Sequence, residues 1–275
     1  MRRATLWHYL GVLFIMFWGL APFYWMVIVA LRDKRYTFDT TPWPTHVTLQ
    51  NFQEALATDK GNDFLGAIGN SLLISVATTS LAVLVGVFTA YALARLNFPG
   101  KGVVTGIILA ASMFPGIALV TPLFQLFGDL GWIGTYRAMI IPNISFALPL
   151  TIYTLVSFFR QLPWELEEAA RVDGASRGQA FRLVLLPLAA PALFTTAILA
   201  FIATWNEFML ARQLSTTATE PVTVAIARFS GPSAFEYPYA SIMAAGALVT
   251  VPLIIMVLLF QRRIVSGLTA GGVKA

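Results

Sequence analysis

The side chains that could carry out covalent chemistry are few and scattered. The chain has no cysteine, only two histidines (His8 and His46) and no HExxH pair. Without cysteine it can form neither disulfides nor thiolate metal sites. Its one Gly-Lys dipeptide, Gly100-Lys101, is followed by glycine and lacks the earlier glycine of a phosphate-binding loop, where Arg95 stands instead. We therefore expect no catalytic residue, no metal site and no ATP site in this chain, and we predict that it is not an enzyme.

The polar segment 160–187 predicts a short helix that ends in a sharp turn. Pro163 is placed for the first helical position, and three glutamates follow in the first turns, where carboxylates favour the positive end of the helix dipole. Glu167 and Arg171 have the i,i+4 spacing of a helical ion pair. Gly174 stands where a left-handed residue would end the helix.

A second short helix is predicted directly after this turn. Ser176 and Gln179 have the spacing of a capping box, and the helix they open would run to Pro187. One interpretation of the whole segment is an ordinary solvated amphipathic loop with good caps. The other is a compact face, built around the small residues Ala169 and Ala170, that a groove on another protein could hold.

The elements that position this segment are membrane helices. The 275 residues are 57% apolar and only 11% charged, where about 25% charged is usual for soluble domains. This excludes a soluble enzyme, a nucleic-acid-binding domain and a disordered chain. Six stretches of 22 residues or more carry no charge, enough for six helices that cross a bilayer. The sequence predicts an all-α integral membrane protein, one domain over 1–275, with spans at 6–31, 68–94, 103–127, 138–159, 188–206 and 238–261.

The distribution of basic residues predicts the orientation. If the N-terminus is cytoplasmic, the cytoplasmic side holds 11 of the 18 Lys and Arg residues and the far side 7, as the positive-inside rule prefers. Both termini are then cytoplasmic, with 262–275 as a cytoplasmic tail. Arg32, Lys34 and Arg35 depart from the rule locally. The same bias accounts for the net charge of +5 without a nucleic-acid partner.

Polar residues inside the spans have two interpretations. They could line a solute pathway, or they could join helices by hydrogen bonds, which is the more common use. Glu207, at the outer end of the fifth span, is interpreted as an interfacial residue rather than a proton relay. The candidate pathway residues are Asn70, Ser71, Asn143, Trp205 and Asn206.

The segment 160–187 resembles a known motif. Glu168-Ala169-Ala170, Gly174, Val184 and Leu186-Pro187 fit the pattern EAA-x3-G-x9-I-x-LP, with valine in place of isoleucine. This pattern is typical of the EAA loop of binding-protein-dependent ABC importer permeases. The stretches 70–72, 91–95 and 204–208 extend the resemblance. The tail 267–274 is similar to that of MalG-type carbohydrate permeases, and 221–263 to their trehalose/maltose, SugB-like branch.

The resemblance implies a type I ABC importer permease fold in a prokaryotic inner membrane. It implies a MalF-like second permease, two copies of a cytoplasmic ATPase that binds ATP and Mg, an extracytoplasmic sugar-binding protein and surrounding lipid. The EAA loop would form a coupling helix seated in a cleft of the ATPase, with the coupling positions Glu168, Ala169, Ala170, Asp173 and Gly174.

The resemblance also implies two further contact segments. An outer loop would probe the sugar cleft of the binding protein through Phe229, Ser230, Gly231 and Pro232. The tail would insert between the ATPase subunits through Gly267, Thr269, Gly271 and Gly272.

The expected solute is a di- or oligosaccharide, trehalose or maltose first. Permeases for glycerol phosphate, sucrose or glucosylglycerol remain alternatives, because no motif in the spans separates these substrates. A structural or assembly membrane protein that moves no solute is the alternative from another class.

Overall fold

The computed structural model describes residues 2–57, 63–229 and 237–270, with side chains described for 7–57, 63–229 and 237–261. These residues are almost entirely helical, as predicted, and the strand pairing among them is a single bridge between Arg32 and Val47. The helices are α1 (Arg2–Leu31), α2 (Gln50–Leu56), α3 (Phe64–Arg95), α4 (Lys101–Ser112), α5 (Val120–Asp129), α6 (Tyr136–Gln161), α7 (Glu165–Val172), α8 (Arg177–Leu188), α9 (Ala190–Trp205), α10 (Met209–Leu214), α11 (Val222–Ala227) and α12 (Tyr239–Ala270).

Four helices of the described chain are long and apolar enough to cross a bilayer unbroken. They are Trp7–Leu31, Phe64–Arg95, Tyr136–Gln161 and Tyr239–Gln261, and they coincide with the first, second, fourth and sixth predicted spans. Only 11% of the candidate span in α1 and of that in α12 is buried, whereas half of the span in α6 is buried. A helix that is apolar all round and exposed is suited to contact with lipid or with another membrane helix.

The third and fifth predicted spans are bent rather than continuous. Lys101–Ser112 meets Gly116–Asp129 at 88°, and Arg177–Leu188 meets Ala190–Trp205 at 70°. Pro115 lies at the first break and Pro191 just after the second, and proline lacks the amide hydrogen that continues a helix. With each bent pair taken as one span, the described chain has six candidate spans.

The chain divides into two compact units, 1–68 with 224–254, and 69–223 with 255–275. In the first unit the most buried charged residue is Arg32, which is 0% exposed. Its guanidinium donates hydrogen bonds to the backbone carbonyls of Asp39 and Thr41 and lies 5.1 Å from the centre of the Trp25 ring. Arg32 therefore holds the loop after α1 in place by carbonyl contacts and a cation–π contact.

Polar contacts also fix α2 against the end of α1. The Asn51 side-chain amide donates to the carbonyls of Ala30 and Arg32 at 2.9 and 2.7 Å, and so satisfies acceptors that the end of a helix leaves free. Lys34 forms a salt bridge of 2.7 Å with Glu54. Two of the three basic residues that depart from the positive-inside rule are thus engaged in structural contacts.

The same loop has a carboxylate with a shifted titration. Asp39 accepts hydrogen bonds from the backbone amide and hydroxyl of Thr41 and from the hydroxyl of Thr45. The Thr41 amide bond holds the pKa of Asp39 below its ordinary value. Asp39 therefore stays ionised in the loop that Arg32 organises.

In the second unit an apolar core joins the ends of α3, α6, α8 and α9. Its buried members are Val87, Ala90, Leu155, Phe159, Phe181, Leu185, Ala189 and Ala192. Helices α3 and α6 approach closely at Gly86, where an added Cβ would lie 2.5 Å from the Thr151 methyl. Small residues permit such contacts between membrane helices. This core supports the segment 160–187.

Helix α8 contains one turn of π-helix, from Phe181 to Leu185. Phe181 and Leu185 are both buried in the core, and the Phe181 ring lies 4.5 Å from the Tyr91 ring of α3. Single π turns inside α-helices frequently occur at functional sites. Here it connects the polar loop to the fifth span.

Candidate functional site

The EAA segment folds as two helices around a tight turn, as the sequence predicts. Helix α7 ends at Val172, Gly174 in the turn after it has a φ of 90°, and the Ala175 amide donates to the Ala170 carbonyl at 2.9 Å. Ser176 and Gln179 form a complete capping box at the start of α8. The position of Pro163 differs from the prediction, because Trp164 caps α7 and the helix begins at Glu165.

The five predicted coupling positions lie together on one accessible part of the chain. Glu168, Ala169, Asp173 and Gly174 are exposed, and Ala170 is half-buried. Val172, between them, is 87% exposed and adds an apolar side chain to this surface. This surface, Glu168 to Gly174, has the size and mixed character of a helix that docks into a groove.

Glu167 does not pair with Arg171, and that prediction is wrong. Its side chain turns inward, is 5% exposed, and accepts a hydrogen bond of 3.1 Å from the Tyr91 hydroxyl of α3. A buried carboxylate requires a donor, and the exposed Arg171 position offers none in the interior. Sequence reasoning missed this role because the partner lies 76 residues away.

Arg95, one turn beyond Tyr91 on α3, contacts the start of the same loop. Its guanidinium donates to the Leu162 carbonyl at 2.6 Å and lies 4.7 Å from the centre of the Trp164 ring. Arg95 is 4% exposed. No local sequence signal identifies this contact, because Leu162 lies 67 residues away from Arg95.

A cavity with a volume of about 330 Å³ lies within the second unit. It is mostly apolar, and its polar lining residues are Asn143, Thr151, Thr204 and Glu207. Asn143 is thus the one predicted pathway residue that lines it. An apolar cavity with a few convergent polar groups is the usual form of a small-molecule site.

The other predicted pathway residues make structural contacts. Asn70 donates to the carbonyls of Ala218 and Glu220, at 3.2 and 3.0 Å, and accepts from the Tyr136 hydroxyl at 2.7 Å. Ser71 accepts from the Val222 amide at 2.8 Å. Asn70 and Ser71 thus form hydrogen bonds between structural elements, the more common of the two roles expected for polar residues inside the spans.

Trp205, Asn206 and Glu207 form the break between α9 and α10. Trp205 is 1% exposed and stacks on Phe201, and the Asn206 side chain donates to a carbonyl of its own helix. The Glu207 carboxylate accepts the backbone amides of Leu210 and Ala211, at 2.8 and 3.0 Å, so it caps α10 besides lining the cavity.

The two further predicted contact segments are only partly described. Phe229 is 8% exposed and packs edge-on against Phe64, so it anchors the chain instead of projecting as a probe; Ser230, Gly231 and Pro232 lie outside the described residues. Gly267 and Thr269 lie within helix α12, where we had expected a tail, while Gly271 and Gly272 are outside the described residues.

Among the residues that the structure describes, no group of three His, Asp or Glu side chains could hold a metal ion. The polar groups of the EAA segment are instead used for caps, for contacts to α3 and for an exposed surface.

Comparison with known proteins identifies related chains along the whole sequence. The family model for the binding-protein-dependent transport system inner membrane component matches residues 82–269. The trehalose transport system permease protein SugB of Mycobacterium tuberculosis is 47% identical, with 99% of this chain and 98% of that protein aligned. The trehalose/maltose transport system permease protein MalG of Thermococcus litoralis is 42% identical over 93% of this chain and 91% of that protein.

A solved structure has the same fold. A chain of a bacterial ABC transporter that imports the acidic polysaccharide alginate superimposes with a TM-score of 0.79 and 22% identity, covering 95% of this chain and 96% of that one. The resemblance to carbohydrate ABC permeases and the predicted type I permease fold are both confirmed. The chain belongs to the family of inner membrane components of binding-protein-dependent ABC transport systems.

Proposed function

We propose that this chain is the membrane permease of an ATP-driven importer that takes a di- or oligosaccharide, trehalose or maltose, from a binding protein. The observation that carries the coupling role is the exposed α7 surface, Glu168 to Gly174, mounted on a core made by the ends of four helices. The identity of 47% to a trehalose permease and 42% to a trehalose/maltose permease supports the substrate class.

Membership of a transport family favours a permease over a structural or assembly protein. The remaining alternatives are permeases for glycerol phosphate, sucrose or glucosylglycerol. The cavity of about 330 Å³ offers four polar lining residues, so most of the contacts that recognise the sugar would come from partner proteins.

The proposed complex contains a second permease, two ATPase subunits and an extracytoplasmic binding protein. With both termini cytoplasmic, α7 faces the side on which the ATPase binds ATP and Mg. Closure of the ATPase dimer would then push α7, and the helices would move as a rigid body between inward-facing and outward-facing states. The energy for transport would come from the ATPase, since this chain has no phosphate-binding loop.

The experiment that tests this function is affinity purification of the tagged chain in mild detergent, followed by mass spectrometry and reconstitution. We expect a second permease and an ATPase with a phosphate-binding loop to copurify. Proteoliposomes containing the complex and the binding protein should accumulate labelled trehalose or maltose only when ATP is present on the side of the membrane where the ATPase lies. Recovery of the chain without an ATPase would contradict the proposal, and ATP-driven uptake of sucrose instead would change the substrate.

Charge reversal at Glu168 should uncouple the complex. We expect Glu168→Lys to lower sugar uptake at least tenfold. A group of the ATPase that binds the Glu168 carboxylate at the interface would lose this partner and would face the positive charge of lysine instead. Uptake and ATP hydrolysis are measured together in the assembled complex. Glu165→Lys, the same change at an exposed position of α7 outside the EAA motif, is the control and should keep most of the uptake. Equal uptake by both variants would contradict a coupling role for Glu168.

A further inference from the structure

We propose that α3 is the element that carries the movement of α7 across the membrane, held to α7 by Tyr91 and Arg95 and to the segment 218–222 by Asn70 and Ser71. The inference rests on the proposed function and adds positioning residues outside the EAA motif. Tyr91, Arg95 and Glu167 act by fixing where α7 sits relative to the second span.

The inner end of α3 holds the EAA loop at two separate points. Tyr91 donates to the Glu167 carboxylate in the middle of α7, and Arg95 donates to the Leu162 carbonyl and packs on Trp164 just before α7 begins. Tyr91 and Arg95 are one turn apart on a single face of α3. Two attachments prevent α7 from pivoting about either one, so a displacement of α7 is transmitted to α3.

These attachments are buried and incompletely satisfied. Glu167 and Arg95 are only 5% and 4% exposed. The second carboxylate oxygen of Glu167 and the Nε of Arg95 have no hydrogen-bond partner among the described residues. The Tyr91 hydroxyl is the one hydrogen-bond donor to the Glu167 carboxylate among the described residues. Its loss would leave this buried carboxylate without a donor, which costs more free energy than the loss of a hydrogen bond on the surface.

The outer end of α3 holds a second segment in the same way. Asn70 binds the carbonyls of Ala218 and Glu220, and Ser71 binds the Val222 amide. From Ser71 to Tyr91 the helix rises about 30 Å, the thickness of the hydrocarbon core. The orientation proposed above puts α7 on the cytoplasmic side, so the segment 218–222 lies on the other side and α3 connects the two.

Helix α3 is well suited to transmit displacement. It is a continuous helix without an internal proline, unlike α6 and α12, and it is not broken like the α4–α5 and α8–α9 pairs. Its inner third packs into the apolar core through Val87, Ala90 and the Tyr91 ring. The hydroxyl of Tyr91 can therefore be removed while its ring contacts remain.

The experiment compares Tyr91→Phe and Asn70→Ala with the wild-type complex in proteoliposomes. The measurements are sugar transported per ATP hydrolysed, ATPase activity with and without binding protein, and the yield of assembled complex. We expect each variant to assemble and to keep its basal ATPase activity, while sugar transported per ATP falls about tenfold, the effect of one hydrogen bond to a charged or buried group. Tyr153→Phe removes the hydroxyl of a tyrosine that is 60% exposed on α6, and should match the wild type.

Two further variants test whether Tyr91 and Glu167 act together. Glu167→Gln keeps an oxygen that accepts from Tyr91 and should retain most of the transport per ATP, whereas Glu167→Leu should lose it. The double variant Tyr91→Phe with Glu167→Leu should be no worse than Glu167→Leu alone, because both remove one interaction.

Each result has a distinct meaning. Wild-type transport per ATP in either Tyr91→Phe or Asn70→Ala would overturn the proposal. A variant that assembles less complex, but whose assembled complex transports normally, would also overturn it. If the wild-type complex itself shows no ATP-driven uptake of any tested sugar, the proposed function fails instead.

Discussion

Replacing Gly174 by proline is expected to abolish sugar uptake. Gly174 has a φ of 90°, and proline fixes φ near −65°, so the turn between α7 and α8 cannot form. Proline also removes the amide that donates to the Arg171 carbonyl at 3.1 Å. The exposed α7 surface would lose its defined orientation, while the helices of the membrane core keep their contacts.

The measurement is sugar uptake by the reconstituted complex, with the yield of membrane-inserted chain as a check on folding. Two milder substitutions at Gly174 should have smaller effects. Nothing lies within 4 Å of a Cβ added at Gly174, so Gly174→Ala should cost only the backbone penalty of about 1 kcal/mol, and Gly174→Asn less. Gly178→Ala is the matched control, because Gly178 lies inside α8 with open space around it. Normal uptake with Gly174→Pro would refute the role of this turn.

Arg32→Ala is expected to destabilise the first compact unit by about 3 kcal/mol, because a hydrogen bond to a charged group contributes about 1.5–3 kcal/mol. The fully buried guanidinium satisfies the carbonyls of Asp39 and Thr41, and alanine would leave both carbonyls without a donor. It would also leave a cavity beside Trp25. Lysine should not restore stability, because a single ammonium lacks the planar fork that reaches two acceptors.

The measurement is the midpoint temperature of unfolding of the purified chain in detergent, with limited proteolysis in the loop 33–49 as a local readout. Arg35→Ala is the control: Arg35 is exposed, and a surface substitution of this kind changes stability by about 0.5 kcal/mol or less. An Arg32→Ala variant as stable and as protease-resistant as Arg35→Ala would show that the buried contacts contribute little.

The parts of the candidate site that follow from local chemistry were predictable. The left-handed turn at Gly174 and the capping box of Ser176 and Gln179 are set by residues within a few positions of each other, and the structure has both. The family could be identified from the same segment, because the spacing from Glu168 to Pro187 is specific.

The parts that depend on distant partners were not predictable. An exposed ion pair of Glu167 with Arg171 is worth about 0.2–0.5 kcal/mol. A bond from Tyr91 to a buried carboxylate outweighs it, but the sequence does not show that the end of α3 lies beneath α7. The buried position of Phe229 was not predictable for the same reason, because its aromatic partner Phe64 is far away in the chain. The bend at Pro115 was not predicted either, because the apolar stretch around it is long enough for a continuous span.

The π turn at Phe181–Leu185 has a consequence for the length of the EAA motif. It lies within the fixed spacing between Gly174 and Leu186-Pro187. A π turn accommodates one residue more than an α turn. One residue of the motif is therefore surplus to a regular helix. The faces of α8 on the two sides of the π turn are therefore offset by one residue from the register of an unbroken α-helix.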